Sequence, residues 1–235
     1  MSGAVGFALS SAMHSKLIAL VAVALTSSAW AACDHPYYPA ALGMSWTYSL
    51  GLTGSNLETT TRVVSADAQR YVAETVTKTS STREEVKCQS DGSLIRATYI
   101  SSFESNSQSA KGQFITDSGV TIPAPQLWVI GTQWTYTMKS RYVANFKAES
   151  VVQTDTTETV HSKIVGVELI AVPAGKFRAL KVMQTTQSNA TVAQNGKATT
   201  SKENSTGTFW YARGVGVVKS SGKDFTYALT SFIKI

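Results

Sequence analysis

The chain is short of the residues that carry most enzyme chemistry: of its 235 residues, two are cysteine and three are histidine. A serine-nucleophile triad needs a histidine beside an acid, and no Gly-x-Ser-x-Gly elbow is present. Gly175-Lys176 is no phosphate loop, because that motif needs a glycine where Ile170 stands and a Ser or Thr at Phe177. There is no run of lysine or arginine. The net charge of +6 is scattered, so the clustered basic footprint of a nucleic-acid binder is missing. After residue 31 no stretch nears the ~20 apolar residues that cross a bilayer, which predicts a mature chain without a transmembrane anchor. No window carries a helical stripe, and the Thr- and Val-rich composition argues against long helices.

The N-terminus has the three parts of a secretory signal. Lys16 supplies the charge, Leu17 to Leu25 is an unbroken apolar run, and Ala29-Trp30-Ala31 offers small residues for cleavage. The signal reads from Met13, and residues 1–31 are expected to be removed. Cys33 after Ala31-Ala32 also resembles the end of a bacterial lipobox. Trp30 stands where that motif wants an aliphatic or small residue, so simple cleavage fits better. Export puts Cys33 and Cys88 in an oxidising compartment, where an even count predicts a disulfide. The long loop it closes is worth about 4 kcal/mol in the chain-entropy model. Lipidation would consume Cys33 and exclude the bond.

The strongest positive signal is a repeat. Leu-Gly-Met-Ser-Trp-Thr-Tyr-Ser-Leu at 42–50 returns as Ile-Gly-Thr-Gln-Trp-Thr-Tyr-Thr-Met at 130–138, with prolines before each copy. Two related units follow, 32–120 and 121–235, free to pack as one domain. In each copy the apolar residues alternate with hydroxyls, placing Trp46, Tyr48 and Leu50, and Trp134, Tyr136 and Met138, on the core face of a strand. Further strands are expected at 71–77, 94–100, 157–165, 167–172, 179–185 and 215–219. In a last strand Phe225, Tyr227, Leu229, Ile233 and Ile235 would share one face. Asp91-Gly92 and Asn195-Gly196 suit two-residue hairpins, and Pro173-Ala174-Gly175 suits a type I turn. Ser101 to Gln113 is polar enough to pass for disorder. Thr185 to Gly207 is better explained as a long exposed hairpin, polar on both faces. The fold class is all-β: an antiparallel, strongly curved sheet forming a roll, half-barrel or open barrel.

Few residues invite a chemical role. His161 lies mid-strand and is expected to face solvent. Glu84-Glu85 is the tightest acidic pair, but strand neighbours point to opposite faces, and Arg83 and Lys87 beside them suggest a solvated edge. Cys33-Asp34-His35 could chelate Cu(II) or Ni(II) were cleavage to fall after Ala32, but the disulfide explains Cys33 without a metal. Trp46 and Trp134 are expected in the core, with Trp128 and Trp210 freer. No catalytic residue, metal or cofactor is assigned.

Val172-Pro173-Ala174-Gly175-Lys176-Phe177 with Ala179-Leu180-Lys181-Val182, then Trp210 to Lys219, together with Tyr37-Tyr38-Pro39 and Gly43-x-x-Trp46-Thr47-Tyr48, resemble the DUF3108-like family of bacterial secreted proteins and lipoproteins. The resemblance implies an extracytoplasmic, curved all-β module and brings no catalytic residues. Concave apolar faces often hold ligands. The expected function is therefore an exported, non-catalytic envelope protein that binds or carries an apolar or amphipathic ligand. The alternative is a structural or assembly component acting through an envelope protein partner. A carrier needs a lined cavity with the Trp46 and Trp134 rings near its floor.

Overall fold

The computed structural model describes residues 33–52, 55–104, 108–146 and 151–234; the expected leader, 1–31, lies outside them. The strands in chain order are β1 (Ser45–Leu52), β2 (Ser55–Ala66), β3 (Arg70–Val76), β4 (Ser80–Cys88), β5 (Leu94–Glu104), β6 (Gln108–Gly119), β7 (Gln133–Phe146), β8 (Val151–Val172), β9 (Gly175–Gln194), β10 (Lys197–Ala212), β11 (Gly216–Gly222) and β12 (Phe225–Ile233). Each pairs antiparallel with its sequence neighbours, and β1 pairs with β12. The sheet therefore closes into an up-and-down barrel rather than staying open, which removes most free edges. One short 3₁₀ turn, Pro125–Leu127, interrupts the link between β6 and β7.

Closure is bent into the strands at one end. Bulges or register shifts fall in six ladders, every second one around the barrel: at Thr47/Tyr48, Val63/Ser65, Glu85/Val86, Thr116/Ser118, Ile164/Gly166 and Trp210/Tyr211. All lie toward the end where β1 begins and β12 finishes, here called the lower end. A bulge bends its strand and increases the local twist, so a ring of them curls the lower end tightly. Below the ring the β8–β9 hairpin folds back toward β12, and Ala174 N–H donates to the Leu229 carbonyl at 3.1 Å.

The chain ahead of β1 seals this end. His35 is wholly buried, with Nε2 donating to the Pro123 carbonyl at 3.0 Å, and Gly214 N–H donates to the Pro36 carbonyl at 2.7 Å. Tyr37 stacks on Trp128 with ring centres 4.9 Å apart. The Cys33–Cys88 disulfide ties the segment to the end of β4.

The upper end is uneven. β10 pairs with β9 along its whole length but meets β11 only from Gly207 onward. Lys197 to Thr206, with the facing parts of β7 to β9, thus forms a lip above the rim. Every side chain of β10 from Lys197 to Thr206 is exposed, and Asn195-Gly196 makes the tight positive-φ turn at the lip's tip. This is the exposed polar hairpin that the sequence suggested.

Several sequence-based expectations need correction, mostly because of bulges. The two strands expected at 157–165 and 167–172 are one strand, β8, with the Ile164/Gly166 shift where they seemed to part. In β12, Thr230 is the extra residue opposite Thr47/Tyr48, and alternation changes hand there. Phe232, not Ile233, then turns inward to stack on Trp46 at 5.7 Å, and Ile233 is 60% exposed; Ile235 lies outside the described residues. Asp91-Gly92 sits in a five-residue loop between Cys88 and Leu94 rather than a two-residue hairpin. Ser101 to Gln113 is ordered as the ends of β5 and β6, apart from residues outside the description. The two proposed units correspond to β1–β6 and β7–β12, with Trp46 and Trp134 each the second residue of its first strand. All twelve strands share one closed sheet.

Candidate functional site

The inward face of the barrel follows from the alternation in the strands. β1 contributes Trp46, Tyr48 and Leu50, β2 Thr61 and Val63, and β3 Tyr71, Ala73 and Thr75. With Phe225 and Tyr227 of β12 they surround an apolar cavity of about 370 Å³. The polar tips of its aromatics are tied back to the wall. Trp46 Nε1 donates to the Val215 carbonyl at 2.6 Å and Tyr48 Oη to the Val217 carbonyl at 3.0 Å. The Tyr48 and Tyr227 rings stack at 4.1 Å. What these side chains present to the space is therefore mostly hydrocarbon.

A second cavity, of about 320 Å³, lies under the lip and is more polar. Tyr136 and Met138 of β7, Glu158 and Val160 of β8, and Gln184 and Thr186 of β9 line it. Tyr38, Glu84, Arg96, Phe209 and Val217 border both cavities. The two spaces therefore adjoin at a polar partition. Both fall within the size range of small-molecule sites, near its lower end.

The partition is built on an ion pair. Arg96 Nε donates to Glu84 Oε1 at 2.6 Å, and both side chains are largely shielded from solvent. The Glu84 charge, outweighing burial, holds the Arg96 guanidinium well above its usual range. Tyr38 is pushed up to about 12, first by the Glu84 charge and then by burial. Burial raises Tyr71, Tyr136 and Tyr211, so these phenols stay protonated at ordinary pH. Glu158, half-buried, is raised by desolvation. The Tyr71 hydroxyl, on a residue 3% exposed, makes no hydrogen bond of ordinary length and angle among the described residues, although the Tyr38 phenol is close enough to act on it. It lies against the first cavity.

The structure sorts the residues singled out in the sequence. Cys33 and Cys88 are joined. Trp46 lines the first cavity, but Trp134 does not reach it: its indole N–H bonds the Thr121 carbonyl and its ring packs near Trp128. Trp128 and Trp210 are not free, at 4% and 8% exposed. Trp128 is wedged between Tyr37, Trp134 and Tyr211, while Trp210 Nε1 donates to Glu168 under Lys181 and Lys219. His161 is exposed beside Thr135. Glu84 and Glu85 do point oppositely, but only Glu85 is at a solvated edge, near Arg70. Glu84 faces inward. Both nitrogens of His35 are occupied, since Nδ1 accepts from the Tyr37 N–H at 3.2 Å. No group of three or more His, Cys, Asp or Glu among the described residues is placed to hold a metal.

Arg96 and Glu158 escaped the sequence analysis, and Tyr38 and Tyr71 entered it only within a family motif and an expected strand, with no part in a site. A signal existed for two of them. Tyr71 shares strand parity with Ala73, and Arg96 with Leu94, both of which are buried or nearly so. An arginine on the core side of a strand calls for a buried partner, and Glu84 is the acid across the β4–β5 ladder.

Among the described residues no helix is long and apolar enough to cross a membrane. The outer surface carries the ion pairs Arg83–Glu74, Lys139–Asp117 and Arg141–Asp155, unlike the apolar outer band of a lipid-embedded barrel.

Comparison with solved structures gives distant matches. A protein of Bacteroides fragilis, provisionally described as exported and with a YmcC-like fold, superposes with a TM-score of 0.45 at 14% identity, covering 83% of this chain and 98% of its own. A protein of Parabacteroides distasonis, provisionally described as a lipoprotein, gives 0.39 at 13% identity over 85% of this chain and 99% of its own. No curated protein matches the sequence significantly. The DUF3108-like family matches residues 53–232, which takes in all of β2 to β11 and β12 up to Phe232, and the chain belongs to that family.

Proposed function

We propose that this protein is an exported, non-catalytic component of the cell envelope that binds an apolar or amphipathic molecule inside its barrel. The observation that carries this reading is the pair of adjoining cavities, one hydrocarbon-lined and one polar, meeting at Arg96 and Glu84. Export is supported by the leader-like N-terminus and by the Cys33–Cys88 bond, which persists in oxidising compartments. The absence of catalysis is supported by the state of the interior groups. Phenols held protonated are poor nucleophiles and bases, and Arg96 is engaged by Glu84.

Native mass spectrometry of the protein purified from the envelope of its producing cells tests the reading. A defined extra mass, lost on denaturation, is expected. A bare mature chain from freshly lysed cells would overturn it.

The assembly alternative has one observation in its favour. Lys197 to Thr206 of β10 has no strand on its β11 side among the described residues, leaving a row of peptide groups able to pair with another chain. Lys197, Lys202 and Glu203 on that strand are the charged side chains that commonly discourage such pairing.

A further inference from the structure

We propose that the molecule held in the barrel carries an uncharged hydrogen-bonding head group, such as a hydroxyl, ester or amide, bound at Tyr71 on the first-cavity side of the Arg96–Glu84 partition. This deepens the carrier reading and rests on it. Two observations converge. The Tyr71 hydroxyl is buried, borders the apolar cavity and makes no hydrogen bond of ordinary length and angle among the described residues. A buried hydroxyl left unbonded costs free energy that a ligand atom can recover. Such a group is rare enough in a folded protein to need a reason.

The second observation is charge. Arg96 and Glu84 neutralise one another across 2.6 Å, so the partition has no spare cation for a carboxylate or phosphate and no spare anion for an ammonium group. Glu158, lining the adjoining second cavity, adds a carboxyl that would repel an anionic head if ionised. A charged head group would lose its hydration here without gaining a counter-ion, and a buried unpaired charge is costly. A neutral head loses little and gains the Tyr71 hydroxyl, which both donates and accepts. Its chain then occupies the space walled by Trp46, Leu50 and Phe225.

Calorimetric titration of the mature, disulfide-bonded protein at neutral pH with dodecanol below its solubility limit, and with dodecanoate and dodecyltrimethylammonium below their micelle concentrations, tests this. Dodecanol is expected to bind at least roughly tenfold more tightly than either ion. In Tyr71→Phe, dodecanol should weaken roughly fivefold, the loss of one buried hydrogen bond. The variant should melt at or above the wild-type temperature, because it sheds a buried polar atom that lacks an ordinary hydrogen bond. If either ion equals or exceeds dodecanol, the head-group inference fails and the carrier reading stands. If none of the three binds, both fail. Unchanged dodecanol binding by Tyr71→Phe, or a clearly lower melting temperature, would also overturn the assignment of that hydroxyl.

Discussion

Acidification should loosen the lower end of the barrel through His35, by an amount the structure allows to be worked out. His35 is 0% exposed, its Nε2–H is given to the Pro123 carbonyl, and Nδ1 accepts the Tyr37 N–H. A proton added at Nδ1 must displace that amide, leaving two donors facing one another. Burial, outweighing the opposite pulls of the Pro123 bond and the Asp34 charge, lowers its pKa from 6.5 to about 4. The native state thus binds the proton less well than the unfolded chain. The contribution is fully present above the unfolded value near pH 6.5, is lost as pH falls, and the loss is complete below about pH 4. With one pKa unit worth about 1.4 kcal/mol, the loss is about 2 kcal/mol at pH 5 and about 3 kcal/mol once the titration is complete. Urea unfolding of wild type and His35→Gln at pH 7 and pH 5 isolates the effect, because the carboxylates common to both proteins cancel in the comparison. The variant should be the less stable at pH 7 for want of the shaped ring. Its disadvantage should shrink or reverse by about 2 kcal/mol at pH 5, roughly a 1 M change in relative midpoint. Parallel shifts of the two proteins would refute the reasoning.

Two further outcomes follow from the same structure. The Cys33–Cys88 bond closes 55 residues, so Cys33→Ser with Cys88→Ser should lower stability by about 4 kcal/mol in the chain-entropy model, read from urea midpoints. A loss well under about 1 kcal/mol would mean that the packed lower segment already restrains the chain without it. Arg96→Ala should cost about 3 kcal/mol by stranding Glu84, and adding Glu84→Gln should recover much of that loss. Additive losses in thermal denaturation of the double variant would show that the two side chains are not coupled.

What could be read from the sequence depended on local signals. The Trp-Thr-Tyr alternation placed Trp46 and Tyr48 inward, and both bound the first cavity. Asn195-Gly196 announced its hairpin because positive φ at both positions is a property of those two residues. Errors gathered where a residue's side depended on a bulge. Ile233 was assigned inward by counting in twos, and the extra residue at Thr230 reversed the count. Glu84 looked solvated because its sequence neighbours are charged, whereas the residue that matters to it, Arg96, lies across a ladder. Trp134 looked equivalent to Trp46, yet the wall it joins is filled by Trp128 and the chain ahead of β1.

By itself, then, the sequence determined an exported-type chain of antiparallel strands and which residues of β1, β7 and the first part of β12 face the core, and it offered a disulfide at Cys33 and Cys88 with lipidation of Cys33 as the alternative. These depend on composition and on a period of two, both local properties. Only the tertiary structure decided that the sheet closes, that its lower end is sealed, and that two cavities meet at Arg96, Glu84 and Tyr38. Closure depends on the summed bend of bulges in six separate ladders and on β1 finding β12, a pairing between opposite ends of the chain. A cavity is the space left over when all twelve strands are in place, so no single segment of the sequence can encode it.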